Sequence, residues 1–205
     1  MATYRIRIIL SILFISFSFV WADQELENIY QNIVDKYSRI KTYEADFEQE
    51  NSWKELDKTK NSSGKVYFAK NNFLLKYSDP EGQILLIEDA GITLYDSASN
   101  QAIISDRSNA ELRPDKLIAE YWNNSIKEIK LNDGNFLILQ FTTADGSEIH
   151  VGLEDYLVTD FRVVDKAGNS VLYVFKDAVI NKKLPKKIFK IDLPEDANII
   201  DQRSE

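Results

Sequence analysis

The side chains that could carry acid–base, nucleophilic or metal chemistry are few in this chain and poorly spaced for it. The single histidine, His150, sits in the run Ser147–Leu153, whose alternation marks a strand. The chain has no cysteine, so His150 has no thiol partner, and no Gly-x-Ser-x-Gly elbow presents a hydroxyl nucleophile. One imidazole without thiolates falls short of the three or four ligands a zinc site needs. The seven glycines never take the spacing of a phosphate-binding loop. Acids are plentiful, 33 in all, but they fall on alternating strand positions or in loops. A glycosidase would need two of them facing each other at a set separation. The sequons Asn61-Ser62-Ser63 and Asn123-Asn124-Ser125 are common by chance and carry no weight. The expectation is a binding protein that is not an enzyme and needs no metal and no cofactor.

The elements that would form a binding site are better marked. Residues 1–22 read as a secretory signal peptide: Arg5 and Arg7 open it, an apolar run follows from Ile8 to Val20, and Val20-Trp21-Ala22 suits cleavage before Asp23. An uncleaved anchor is the other reading of the same run, although a spanning helix needs about 20 apolar residues. Residues 23–205 are expected to be one domain. Removing Arg5 and Arg7 leaves 23 Lys and Arg against 33 acids, a net charge near −10. Such acidity argues against nucleic acid and against charge-driven adhesion to anionic lipid.

Leu26, Ile29, Tyr30, Ile33, Val34 and Tyr37 follow the helical period and make one apolar stripe. Such a helix either packs on a sheet or forms a mobile lid over a cavity. From residue 42 the period becomes 2, in Tyr43-Glu44-Ala45-Asp46-Phe47-Glu48. Asn51 to Ser63 is expected to be a hairpin tip or loop. Short strands follow at Lys65–Phe68, Phe73–Ser78, Gln83–Glu88, Ile92–Asp96 and Gln101–Ser105. Pro114 then starts a short helix carrying Leu117, Ile118, Tyr121 and Trp122. Strands resume at Ile126–Leu131, Phe136–Thr142, Ser147–Leu153, Leu157–Asp165, Val171–Ile180 and Phe189–Asp192. The fold class is therefore mainly β with α: a large antiparallel sheet that must curl into an incomplete, half-open β-barrel, covered by a helical lid. Phe136–Leu139 and Val171–Phe175 are apolar on both faces. Either helices cover the second face, or it borders an apolar cavity.

Several motifs, in order, resemble the outer-membrane lipoprotein carrier (LolA) family. Ala45-Asp46-Phe47-Glu48-Gln49 is similar to that family's A-x-F-x-Q. Gly64 to Lys70, then Phe73 to Tyr77 and Pro80, resemble its G-x-x-x-x-x-R-P and F-R-W-x-Y-x-x-P. Asp89 to Asp96 with Gln101, and Phe189 to Pro194 with Asp201, resemble its later segments. Two departures stand out. Lys70 falls where the family has the arginine that holds the lid shut through lid carbonyls, and Leu75 falls where it has tryptophan. A lysine offers a point charge in place of a planar fork of donors.

The resemblance implies a periplasmic, monomeric chaperone that binds the acyl chains of triacylated lipoproteins and carries them from the inner to the outer membrane. Its implied partners are an inner-membrane lipoprotein-releasing ABC transporter and an outer-membrane lipoprotein receptor. A periplasmic sensor module binding lipid or protein on the same fold is the alternative. A lipidated acceptor would need an N-terminal cysteine, which this chain lacks. Strand parity places Phe47, Tyr67, Leu75, Tyr77, Leu85, Ile87 and Leu94 at the cavity. Leu26, Ile29, Ile33, Leu117 and Ile118 are expected in the lid, with Lys70 as its gate.

Overall fold

The computed structural model describes residues 24–107, 112–185 and 187–203; the expected signal peptide lies outside them. Helix α1 spans residues 24–38 and helix α2 Pro114–Asn124. No helix among the described residues is long and apolar enough to cross a membrane. The strands are β1 (Thr42–Trp53), β2 (Lys58–Ala69), β3 (Asn72–Asp79), β4 (Glu81–Glu88), β5 (Gly91–Asp96), β6 (Gln101–Ser105), β7 (Ile126–Asn132), β8 (Phe136–Thr142), β9 (Glu148–Glu154), β10 (Leu157–Val164), β11 (Ser170–Ile180) and β12 (Asn198–Asp201).

All twelve join one sheet in the order β12-β6-β5-β4-β3-β2-β1-β11-β10-β9-β8-β7. Every pairing is antiparallel except β12 with β6. The two outer strands, β12 and β7, do not pair with each other, so the sheet is curled and open. Alternation decides which side is concave: Tyr43, Ala45 and Phe47 of β1, Val66 and Phe68 of β2, and Leu137, Leu139 and Phe141 of β8 are buried in one core with both helices. Burying each of the larger side chains among these contributes about 1.5–3 kcal/mol.

The α1 stripe packs on this core as its period requires. Ile29, Ile33 and Tyr37 are buried, while Val34 at the edge of the stripe is exposed. Polar contacts pin α1 to the sheet. The Tyr37 hydroxyl accepts from the Val158 amide at 3.2 Å, and Lys36 pairs with Asp155 at 2.5 Å. Asn132 donates to Glu25 at 2.9 Å. Asn181 clasps the helix exit, donating to the Arg39 carbonyl at 3.1 Å and accepting from the Lys41 amide at 2.7 Å. Helix α2 starts at Pro114, with Asp115 favourably placed in its first turn. Side chains also donate to carbonyls in its last two turns: Asn123 to Ala119, Asn124 to Glu120 and Lys127 to Trp122, each at 3.0 Å. Tyr30 stacks on Trp122 at 4.7 Å, joining the two helices.

Two expected boundaries change. The polar stretch from Asn51 to Ser63 is strand on both sides of a short turn, because β1 and β2 stay paired out to Trp53 and Lys58. Main-chain bonds alone carry that extension, so it leaves no apolar pattern; Lys54–Leu56 make the turn. Phe189–Asp192 is not a strand. Phe189 and Ile191, with Leu184 and Ile188, pack as a strap on Tyr67, Leu74 and Leu86 of the convex face. The closing strand comes later, as β12.

Candidate functional site: an apolar cavity under a latched helix

A cavity of about 230 Å³ lies between the concave wall and α2. Its floor is Phe73 and Leu75 of β3, Val158, Phe161 and Val163 of β10, and Val171, Tyr173 and Phe175 of β11. Its roof is Leu112, Pro114, Leu117 and Tyr121. All twelve lining residues are apolar or aromatic. Such a lining offers water few hydrogen-bond partners and suits hydrocarbon. The cavity is smaller than the roughly 300–1,000 Å³ of pockets that hold a whole small molecule.

The two strand runs that are apolar on both faces meet helix or cavity on the concave side alone: the convex Phe136 and Ile138 are exposed and Leu172 and Val174 half-buried, so neither expected explanation accounts for the second face. In β8 the concave residues Leu137, Leu139 and Phe141 are covered, with Trp122 of α2 lying 5.9 Å from Phe141. In β11 the concave residues Val171, Tyr173 and Phe175 border the cavity.

Of the residues expected at the cavity, Leu75 lines it. Phe47 and Ile87 are buried in the surrounding core, with Tyr77 and Leu85 packed against it. Leu94 is on the same face but 45% exposed, beyond the helices. Tyr67 needs correction: it lies on the convex face with Leu74 and Leu86, since Val66 and Phe68 point inward. Among the expected lid residues, Leu117 forms roof. Ile118, Ile29 and Ile33 are core, and Leu26 is partly buried beside them. Sequence reasoning missed Tyr121 and the entire β10–β11 floor, although the two-faced run at Val171–Phe175 is its visible trace.

The roof is fastened at its start by Arg113. Its Nη1 donates to the Lys70 carbonyl at 3.0 Å. Its Nε and Nη2 grip the Asp115 carboxylate at 3.1 Å each, with the two side chains 17% and 14% exposed. The guanidinium also lies 5.1 Å over the Phe68 ring, which stacks on Tyr43 at 4.6 Å. A forked, stacked, largely desolvated arginine of this kind is stronger than a surface ion pair. Lys70 itself is exposed and holds a left-handed backbone, φ 54°, at the β2–β3 turn.

The phenols around the cavity stay neutral. Burial pushes Tyr37, Tyr43, Tyr173 and Tyr77 above the usual tyrosine range. They therefore serve as hydrogen-bonding groups and packing surface.

Comparison with known proteins agrees with this geometry. Residues 38–192 match the family model described as outer membrane lipoprotein carrier protein LolA. The outer-membrane lipoprotein carrier protein of Pseudomonas putida is 20% identical over 186 residues, covering 85% of this chain and 88% of that protein. Among solved structures, an uncharacterized conserved protein from Thermus thermophilus superposes with a TM-score of 0.56 at 16% identity, over 84% of this chain and 98% of that one. MucB superposes with a TM-score of 0.53 at 11% identity, over 84% of this chain and 63% of its own. The open sheet, the apolar space beneath its helices and a family match spanning most of the chain lead to one assignment: this chain belongs to the outer membrane lipoprotein carrier protein LolA family.

Proposed function

We propose that this protein is a periplasmic chaperone that takes lipoproteins by their acyl chains from an inner-membrane ABC transporter, shields the chains under α2, and delivers them to an outer-membrane receptor. It acts as a monomer and makes or breaks no covalent bond. The observation that carries this reading is the apolar cavity bounded by a helix whose start is latched by one arginine. An acyl chain in water is unfavourable by about 0.8 kcal/mol per CH₂, so a carrier must enclose it. A space of about 230 Å³ is too small for three chains. Loading therefore requires α2 to swing out, extending the cavity over the core beneath it. Release follows when an acceptor binds the chains more favourably than the reopened cavity does.

The test uses the mature chain with an apolar dye and a triacylated lipopeptide. Saturable binding of both, and mutual displacement, is expected; a folded protein that binds neither overturns the proposal. Depletion in cells is expected to strand lipoproteins at the inner membrane. Ligand binding with undisturbed lipoprotein sorting would instead assign the cavity to a sensor or binding module.

A further inference from the structure

A row of polar side chains crosses the concave wall at one end of the cavity. β1 supplies Gln49 and Asn51, β3 Tyr77 and β11 Tyr173, all half-buried. Register sets them together: Gln49 lies opposite Tyr173 and Asn51 opposite Val171, and both of these partners line the cavity. Between β1 and β3, strand β2 offers Gly64, whose partner on β3 is Tyr77. Any Cβ there would stand 2.2 Å from the Lys76 carbonyl and 2.7 Å from the Tyr77 Cα. The glycine thus lets the Tyr77 ring lie across β2, edge-on to Phe47 at 5.1 Å, with its hydroxyl reaching β1.

The hydrogen bonds in this row share one direction. Tyr173 stands in the same row, opposite Gln49 across the β1–β11 pair. Tyr77 donates to Gln49 Oε1 at 2.8 Å. That fixes the Gln49 amide so that Nε2 donates to Asn51 Oδ1 at 3.2 Å. The Asn51 oxygen is then used as an acceptor, and its amino group is the next donor, beside the remaining N–H of Gln49. The row ends on neutral amide donors; it contributes Tyr173 to the lining of the adjoining cavity, which holds no charged side chain among the described residues.

We infer that this row is a head-group subsite for the ester and amide carbonyls of an acylated ligand, whose chains lie in the adjoining cavity. The inference rests on the acyl-chain reading above and adds the ligand's orientation. Carbonyl oxygens only accept, so they require donors, and the row supplies them. An ionised carboxylate would call for a cation, and the lining offers none. The linkage that joins chains to protein therefore sits at the Asn51 end, and the chains run toward Phe73 and the Arg113 latch.

The experiment is competition against an apolar dye on the mature protein. The competitors are an alkane, a fatty-acid ester, an N-acylated peptide and a free fatty acid of equal chain length. Asn51→Asp removes the terminal donors at constant volume, and Tyr77→Phe removes the hydroxyl that orients the Gln49 amide. Each variant is expected to lower ester and acyl-peptide affinity by about tenfold while leaving alkane affinity unchanged. Equal losses for alkane and ester, no loss for either, or a preference for the free acid would overturn the subsite while leaving the carrier reading standing. A wild-type protein that binds neither alkane nor ester sinks the carrier reading, and the subsite with it.

Discussion

Arg113 donates to the main-chain carbonyl of Lys70, so the two residues join the roof helix to the β2–β3 turn without using the lysine ammonium. The cationic fork sits on the helix side of the contact, and the sheet contributes only an acceptor. The position that resembles the family's gate in sequence thus meets the helix start through its backbone oxygen.

Arg113→Ala removes the bond to Lys70, the fork to Asp115 and the stack on Phe68. It is expected to lower stability by about 1.5–3 kcal/mol and to speed hydrogen exchange in α2 more than in α1. Lys70→Ala keeps the carbonyl and is expected to change stability by less than about 0.5 kcal/mol. Denaturant melts with amide exchange on both variants check this; a larger loss from Lys70→Ala would return the gate to the lysine side chain.

Leu75 and Val171 face the empty space from different strands. Val171→Phe should fill part of the cavity at little stability cost, under about 1.5 kcal/mol, and weaken dye and lipopeptide binding at least several-fold. Binding at wild-type strength in the filled variant would show that ligands occupy another site.

Ile33 is 1% exposed between α1 and the core. Ile33→Glu buries an unpaired carboxylate and is expected to destabilise the protein by several kcal/mol. Ile33→Val should cost about 0.5–1.5 kcal/mol and leave binding intact, because α1 does not line the cavity. Loss of binding in a folded Ile33→Val protein would mean that α1 opens too.

Gly64→Ala is expected to destabilise by more than about 2 kcal/mol, since the added carbon meets the Lys76 carbonyl at 2.2 Å. Thermal unfolding measures this, and near-native stability would mean that β2 and β3 can part at no cost.

The pH profile has two edges. The Thr143 hydroxyl holds Asp145, the Asn169 amide holds Asp165 and the Ser99 hydroxyl holds Asp96 below the usual carboxylate range. Arg203 brings Asp201 to about 2. Lowered folded pKa values mean that this stabilisation is complete above the unfolded value, about 4, and is lost as pH falls below it. The buried phenols are raised, so their share is complete below about pH 10 and is lost as pH rises beyond it. The tyrosinate absorbance of Tyr37, Tyr43, Tyr77 and Tyr173 should therefore appear together with unfolding at the alkaline edge; smooth titration of all tyrosines in a folded protein would contradict their burial.

Much of this architecture is legible in single segments. The Leu26–Tyr37 stripe, Pro114 before Leu117 and Ile118, and the alternation at Tyr43–Glu48 each state an element and the face it buries. Local pattern fails where faces are chosen by parity. The Tyr67 ring suits a cavity wall, but Val66 and Phe68 on either side take the inside, and Leu184, Ile188, Phe189 and Ile191 give the cluster of Tyr67, Leu74 and Leu86 apolar cover outside. The cavity floor is harder still to read. Phe73 and Leu75 meet Phe161 and Tyr173 only through the curl of the sheet, and no short window distinguishes a residue that touches its neighbours from one that borders empty space. Arg113 leaves no mark either, because its acceptor is a carbonyl that every residue possesses.

The pairing of β1 with β11 sets Tyr43 opposite Ile180, near opposite ends of the chain. Apart from the parallel β12–β6 pair, the strands before α2 and those after it zip up among themselves as separate meanders, and the β1–β11 seam welds them. A polypeptide emerging amino end first must wait with β1 raw along one margin until nearly everything else has arrived. Such distant closure is slow, and a waiting margin invites other chains to stick. Assembly of this molecule should therefore be its most vulnerable moment, helped by whatever occupies that margin until β11 appears.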